Sequence, residues 1–290
     1  MDNFIKIRLF RVAHSYTKLY INTHLSFNER ELLTVSMRNK VETRLKKCKK
    51  GGKTTIFLLI DSENLNSISN AEKTAKQIFK ASKTMKNLFP VILVGGSSAT
   101  DQIWMDKVVR VLKKITRLDI ILFPGNITGV VPKANAILFS SLMNSENPYY
   151  ITQAQTLGAP LVRKFKLEAL PTAYLVIGDG TSAWFFGNVR GIPFDKPKIA
   201  AAYAMAAQYL GMRFVYLEAG SGAKQSITPE MVATVRKVFD GFIIVGGGIK
   251  TAKIANSIIK AGADGLVVGT LLEQTNGLKK FTEMVKSIKK

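Results

Sequence analysis

From Lys53 onward the chain alternates short apolar, β-branched runs with longer amphipathic stretches. The runs "TTIFLLID" (54–61), "PVILVGG" (90–96), "LDIILFPG" (118–125), "NAILFSSL" (135–142), "TAYLVIG" (172–178), "RFVYLEAG" (213–220), "FIIVGGG" (242–248) and "DGLVVGT" (264–270) predict eight strands. Segments such as "AEKTAKQIFKASKTM" (71–85), "KPKIAAAYAMAAQYLG" (196–211), "TPEMVATVRKVFDG" (228–241) and "TAKIANSIIKAGA" (251–263) read as helices between them. Strands joined by helical crossovers are parallel. Eight such units predict an α/β fold, the TIM (β/α)8 barrel, with a doubly wound open sheet as the rival. One unit is irregular: "NITGVVPKA" (126–134), broken by Gly129 and Pro132, is too short for a barrel helix. The third barrel helix is therefore expected to be missing or replaced by a loop. Its absence either leaves an apolar groove suited to a long hydrocarbon or lets the loop pack over the exposed strand faces.

The pattern weakens toward the N-terminus. Residues 1–36 show only faint alternation around "NFIKIRLFRV" and read as an extension, with Met37 as an alternative start and 37–290 as a single barrel domain. After Met37, "RNKVETRLKKCKKGGK" predicts a basic amphipathic helix stopped by Gly51 and Gly52. Its lysines form either a solvated face or a patch for anionic lipid headgroups.

Composition narrows the chemistry. Cys48 is the only cysteine, and His14 and His24 are the only histidines. Disulfide frameworks, zinc sites and Ser-His or Cys-His catalysis lack the residues they need. A formal net charge of +22 points to anionic partners; no recognised nucleic-acid motif accompanies it. No apolar run approaches the roughly 18 residues that span a bilayer, and Lys6, Arg8 and Arg11 interrupt the first apolar stretch, so a cytoplasmic protein is expected.

In a TIM barrel the active face gathers the C-terminal ends of the strands, and phosphate commonly binds after strands seven and eight. "VGGGIK" (245–250) and "VVGT" (267–270) end those two strands and open toward helix starts, a pairing that indicates a phosphate-binding barrel. On strand six, Tyr216 and Glu218 share one face while Leu217 and Ala219 share the other. If the first face is the barrel interior, Glu218 stands where it can accept a proton from a substrate hydroxyl, and "GSG" (220–222) lets backbone approach the ligand. Tyr216 as core filler and Glu218 as a capping or ion-pairing group are the alternatives; the penalty for burying an unpaired carboxylate favours function. Asp61 closes strand one and Ser97 follows strand two. A hard cation such as Mg²⁺ needs little more than one carboxylate, a hydroxyl and substrate phosphate, although an Asp ending a strand is as often a helix cap.

The segments "FPGN" (123–126), "ILFSSLMNSENPYYI" (137–151), "LPTAYLVIGDG" (170–180), "IPFDKPKIAAAYAMAAQYLGMRFVYLEAGSGA" (192–223), "VGGGIK" (245–250) and "AGADGLVVGT" (261–270) resemble the geranylgeranylglyceryl phosphate synthase family, from about Val41 to the C-terminus. The resemblance implies transfer of a geranylgeranyl group from geranylgeranyl diphosphate to sn-glycerol 1-phosphate, with Mg²⁺, in archaeal ether-lipid synthesis. It implies that Tyr216, Leu217, Glu218, Ala219, Gly220, Ser221, Gly222, Gly247, Gly248, Gly269 and Thr270 hold glycerol 1-phosphate, that Asp61 and Ser97 hold the metal, and that Glu218 is the base. It also implies a homo-oligomer, dimer or hexamer, for which Trp184 and the Phe185–Phe186 pair are either interface or core. A related phosphate-binding barrel with another prenyl length or substrate is the alternative. Two departures stand out. Where the family reads "IDPxK", this chain has Asp61, Ser62, Glu63 and Asn64, so a proline and a lysine are absent; and Gly191 replaces the proline of "VRPIP", which implies a looser loop.

Overall fold

The computed structural model describes residues 40–96, 101–269 and 277–288. Eight parallel strands close on themselves in chain order: β1 (Thr54–Asp61), β2 (Leu88–Gly96), β3 (Ile120–Pro124), β4 (Ala136–Leu142), β5 (Glu168–Val176), β6 (Phe214–Glu218), β7 (Phe242–Gly246) and β8 (Gly265–Val268). The register from Thr55 opposite Gly265 to Leu58 opposite Val268 seals the ring, and the open-sheet alternative falls. Around it run α1 (Lys40–Lys50), α2 (Ile68–Ser82), α3 (Gln102–Thr116), α4 (Ala154–Lys164), α5 (Ser182–Phe186), α6 (Pro197–Tyr209), α7 (Pro229–Arg236), α8 (Ala252–Lys260) and α9 (Gly277–Lys286). Side-chain oxygens of Ser67, Asp101, Thr181, Thr228 and Thr251 cap five of these starts, each contributing about 1 kcal/mol.

Strand alternation sorts the apolar residues into two shells. Inward-facing Phe57, Leu93, Leu138, Phe214, Tyr216 and Phe242 fill the barrel, while Ile56, Leu58, Ile92, Val215 and Leu217 face out beneath the helices. Between β3 and β4 only one 3-10 turn forms, Ile127–Gly129, capped by Asn126. Val130 and Val131 behind it are buried in the outer shell. The loop thus covers part of the exposed strand face, and a slot remains between it and α4.

The compact unit that holds the barrel begins at Val41; the boundary expected at 36/37 and the start at Met37 lie outside the described residues. α1 is not simply a solvated or lipid-facing basic helix. Val41 and Leu45 lie one turn apart and are buried in the interior shell, so the helix stops the N-terminal end of the barrel. Its charges are engaged there: Arg44 makes two 2.6 Å hydrogen bonds to Asp119, and Lys49 lies 3.1 Å from Asp264. Glu42 is bound by Arg213 at 2.7 and 2.9 Å and by Lys46 at 2.6 Å. The Glu168 carboxylate accepts the free N–H groups of Val41 and Glu42 at the helix start. Gly52, at φ 73°, ends the helix as expected.

Candidate active site

The C-terminal ends of the strands open into one cavity of about 550 Å³. Tyr216, Glu218, Gly220, Ser221, Gly222, Gly247, Gly248, Gly269 and Asp61 line it together, although they come from four strand ends. Leu217 and Ala219 do not: alternation turns them outward into the shell beneath the helices, so only their backbone can serve the site. Thr270 and Ser97 lie outside the described residues.

Glu218 ends β6 with its side chain pointing inward and 6% of its surface exposed. Its Oε1 accepts the N–H of Gly220 at 2.6 Å, which fixes the carboxylate's orientation. Burial raises its pKa, against the lowering influence of Tyr216 and of the Gly220 N–H. Tyr216 Oη sits beside this carboxylate, close enough to influence it, yet completes no hydrogen bond of good geometry among the described residues. Desolvation, then the Glu218 charge, pushes both Tyr174 and Tyr216 well above the usual phenol range. Gly246 explains how so polar a pair fits: a Cβ there would lie 2.5 Å from Tyr216 Oη and 2.8 Å from Glu218 Oε2. Gly247 and Gly248, at φ 82° and 68°, then swing the backbone over the strand end toward the capped start of α8.

Three features were not read from the sequence. Phe123, Tyr174 and Tyr216 form a ring cluster with centroids 5.1–5.3 Å apart, the floor of the polar chamber. Alternation on β5 could have placed Tyr174 beside Tyr216; their pairing register needed the fold. Lys250 is the only side-chain cation among the described residues lining the cavity, set against two carboxylates. It directly precedes the Thr251 cap, where the helix dipole disfavours a cation by about 0.3–1 kcal/mol, so an anion in the cavity is the partner that suits it. Finally, "SAWFF" forms α5 at the cavity mouth. Trp184 packs on the interior shell, whereas Phe185 and Phe186 are 70% and 54% exposed, so the pair is not core.

From the polar chamber the cavity continues as an apolar slot. Ile127, Val130, Ile137, Phe139, Ala154, Gly158 and Val162 line it, where the third helix is missing. Gly191 does not loosen the neighbouring loop. Gly178 N–H bonds the Ile192 carbonyl at 2.8 Å, and a Cβ on Gly191 would lie 1.9 Å from the Gly178 oxygen, so glycine permits a tighter approach than proline.

Asp61 ends β1 with Oδ1 accepting the Glu63 N–H at 3.0 Å. A Cβ on Gly96 would come within 2.6 Å of that oxygen, so glycine makes room for the carboxylate on the cavity side. Among the described residues no three His, Cys, Asp or Glu gather into a metal cage. One hard oxygen donor facing a phosphate chamber fits Mg²⁺ held largely by substrate phosphate and water.

Residues 58–290 match the PcrB family. Geranylgeranylglyceryl phosphate synthase of Nitrosopumilus maritimus is 65% identical over 252 residues, covering 87% of this chain and 98% of its own; that of Cenarchaeum symbiosum is 56% identical over 248 residues, covering 86% and 98%. The crystal structure of (S)-3-O-geranylgeranylglyceryl phosphate synthase from Thermoplasma acidophilum, in complex with the substrate sn-glycerol-1-phosphate, superimposes with a TM-score of 0.78 at 34% identity, covering 87% of this chain and 97% of that one. With a polar chamber, an apolar slot and relatives matched over nearly their full length, this chain belongs to the PcrB family, alongside the geranylgeranylglyceryl phosphate synthases.

Proposed function

We propose that this protein is a prenyltransferase that joins sn-glycerol 1-phosphate to geranylgeranyl diphosphate in ether phospholipid biosynthesis. One observation carries the reading: a single cavity holds a buried carboxylate between a glycine-rich chamber and an apolar slot. The named relatives support the same chemistry.

Glycerol phosphate would sit with its phosphate over Gly247, Gly248 and Gly269, near Lys250, and its free hydroxyl at Glu218. Gly220 holds Oε1, which leaves Oε2 to take the proton. As it does, the glycerol oxygen bonds to C1 of the prenyl group, and the C1–O bond breaks with its electron pair leaving on diphosphate. The raised pKa of Glu218 suits a base better than an ordinary carboxylate. The Tyr216 hydroxyl lies beside Glu218 in the same chamber, where it can orient the carboxylate toward the reacting glycerol. The slot excludes water, which would otherwise capture the same carbon. Mg²⁺, when bound, neutralises the diphosphate; Asp61 would hold it, with Ser97 as the second expected ligand. The assembly expected is a homo-oligomer, for which Phe185 and Phe186 provide apolar surface.

Incubation with glycerol 1-phosphate, Mg²⁺ and a series of prenyl diphosphates, read by mass, tests the reading. The C20 ether should dominate. No ether product at any length would overturn it, and a preference for another length would correct the lipid.

A further inference from the structure

The deep end of the slot carries charge that prenyl transfer does not use. The slot follows β4 from Phe139 back to Ile137 and α4 from Ala154 to Val162, toward the N-terminal end of the barrel. Both walls then run into exposed cations. Arg163 and Lys164 follow Val162 directly. On the other wall Lys133 lies three residues beyond Val130, and the Lys113 ammonium donates to the Lys133 carbonyl at 2.8 Å. The carboxylates of this rim are committed elsewhere: Glu168 to the start of α1 and Asp119 to Arg44. On the same end of the barrel, where α6 stops ahead of β6, Tyr209 and Leu210 are 83% and 69% exposed.

A helix C-terminus attracts lysine through its dipole, by about 0.3–1 kcal/mol, and that explains Lys113 or Lys164 taken singly. It does not explain Lys133, which lies outside any helix, or two outward apolar residues on the same face. Nor is this the N-terminal extension's charge, since seven of the 42 basic residues precede Val41.

We propose that the N-terminal end of the barrel docks on an anionic lipid surface, with Lys113, Lys133, Arg163 and Lys164 against headgroups, Tyr209 and Leu210 at the interface, and the slot facing the acyl layer. Cations around apolar residues and an apolar slot match a bilayer; nucleic acid would meet the cations and leave the slot without a partner. The inference deepens the prenyl-substrate reading and rests on it, since a lipid substrate is what gives the slot reason to face a membrane.

Flotation of the full-length protein with vesicles of phosphatidylglycerol and phosphatidylcholine tests it. Each cation near an anionic surface adds roughly fivefold in partitioning. The K133E/R163E/K164E variant should therefore bind more than tenfold more weakly, and Y209S/L210S severalfold, while both retain turnover of a soluble short-chain prenyl diphosphate. K73E/K76E/K80E, on the outer face of α2, should bind as the parent does. Equal binding to neutral vesicles, no loss in K133E/R163E/K164E, or the same loss in the α2 variant overturns the proposal. So does a changed sedimentation coefficient in the end-face variants, which would make this an interface between copies, or an equal loss of binding to a single-stranded RNA. If prenyl transfer fails while vesicle binding behaves as described, the enzymatic reading falls and the docking surface stands.

Discussion

Two glutamates at opposite ends of the barrel show how differently one fold uses the same side chain. Glu42, 2% exposed at the N-terminal end, is met by Arg213 and Lys46. Burial pushes its pKa up, but those bonds outweigh it and hold the carboxyl below the ordinary value of 4.5. Glu218, 6% exposed at the other end, has no cation bound to it among the described residues, and burial raises its pKa. At the N-terminal end Glu42 is tied into closure by two cations; at the mouth Glu218 is held by one backbone N–H, beside a phenol and glycine backbone. That asymmetry matches the division of a TIM barrel into a stability face and an active face.

The largest effect expected is on Glu218→Gln. Loss of the base should lower kcat about 10²–10⁴-fold, while calorimetry still detects glycerol 1-phosphate binding. Parent-like turnover would remove Glu218 from proton transfer. Glu42→Gln should do the reverse, leaving kcat unchanged and lowering stability by about 2 kcal/mol, less than a fully buried pair because Arg213 is half-exposed. A thermal melt should register about 5 °C. If kcat falls instead, the two ends are not separate in function.

Lys250→Met should raise KM for glycerol 1-phosphate about tenfold, as for one charged hydrogen bond lost, and leave KM for the prenyl diphosphate alone. An effect on the diphosphate only would place Lys250 against the other anion. The smallest signal is in pH. A raised folded pKa means Glu218 contributes stability fully below its unfolded value, and that contribution is lost as pH rises through the raised value. Glu42 contributes fully above its unfolded value and loses that contribution as pH falls through its lowered one. Melting temperatures of Glu218→Gln should therefore gain on the parent as pH rises, and those of Glu42→Gln should approach the parent as pH falls. Parallel curves would mean that neither carboxyl carries the shift assigned to it.

Much of this was legible because it is periodic. Eight β-rich runs, the two-residue repeat that sets Tyr216 with Glu218, and the short 126–134 connection are local features that survive into the fold. Boundaries were less so: β5 starts at Glu168, ahead of Pro171, because pairing with β4 from Ala136 onward extends it past a residue that signals a break. α1 read as a free basic helix since its partners Asp119, Glu168, Arg213 and Asp264 lie 75–215 residues away. Lys250 and Tyr174 were hidden for a similar reason, as membership of a cavity wall has no local mark.

By itself, the order of residues determined the strand–helix alternation, the inward and outward sides of each strand, and the backbone positions where only glycine fits. Those follow from side-chain period and local sterics. Ring closure alone decided that Glu218 is buried against Tyr216 rather than against a cation of the described residues, and that the chamber joins the slot. These depend on which distant groups arrive beside one another, and desolvation and charge pairing act on neighbours in space.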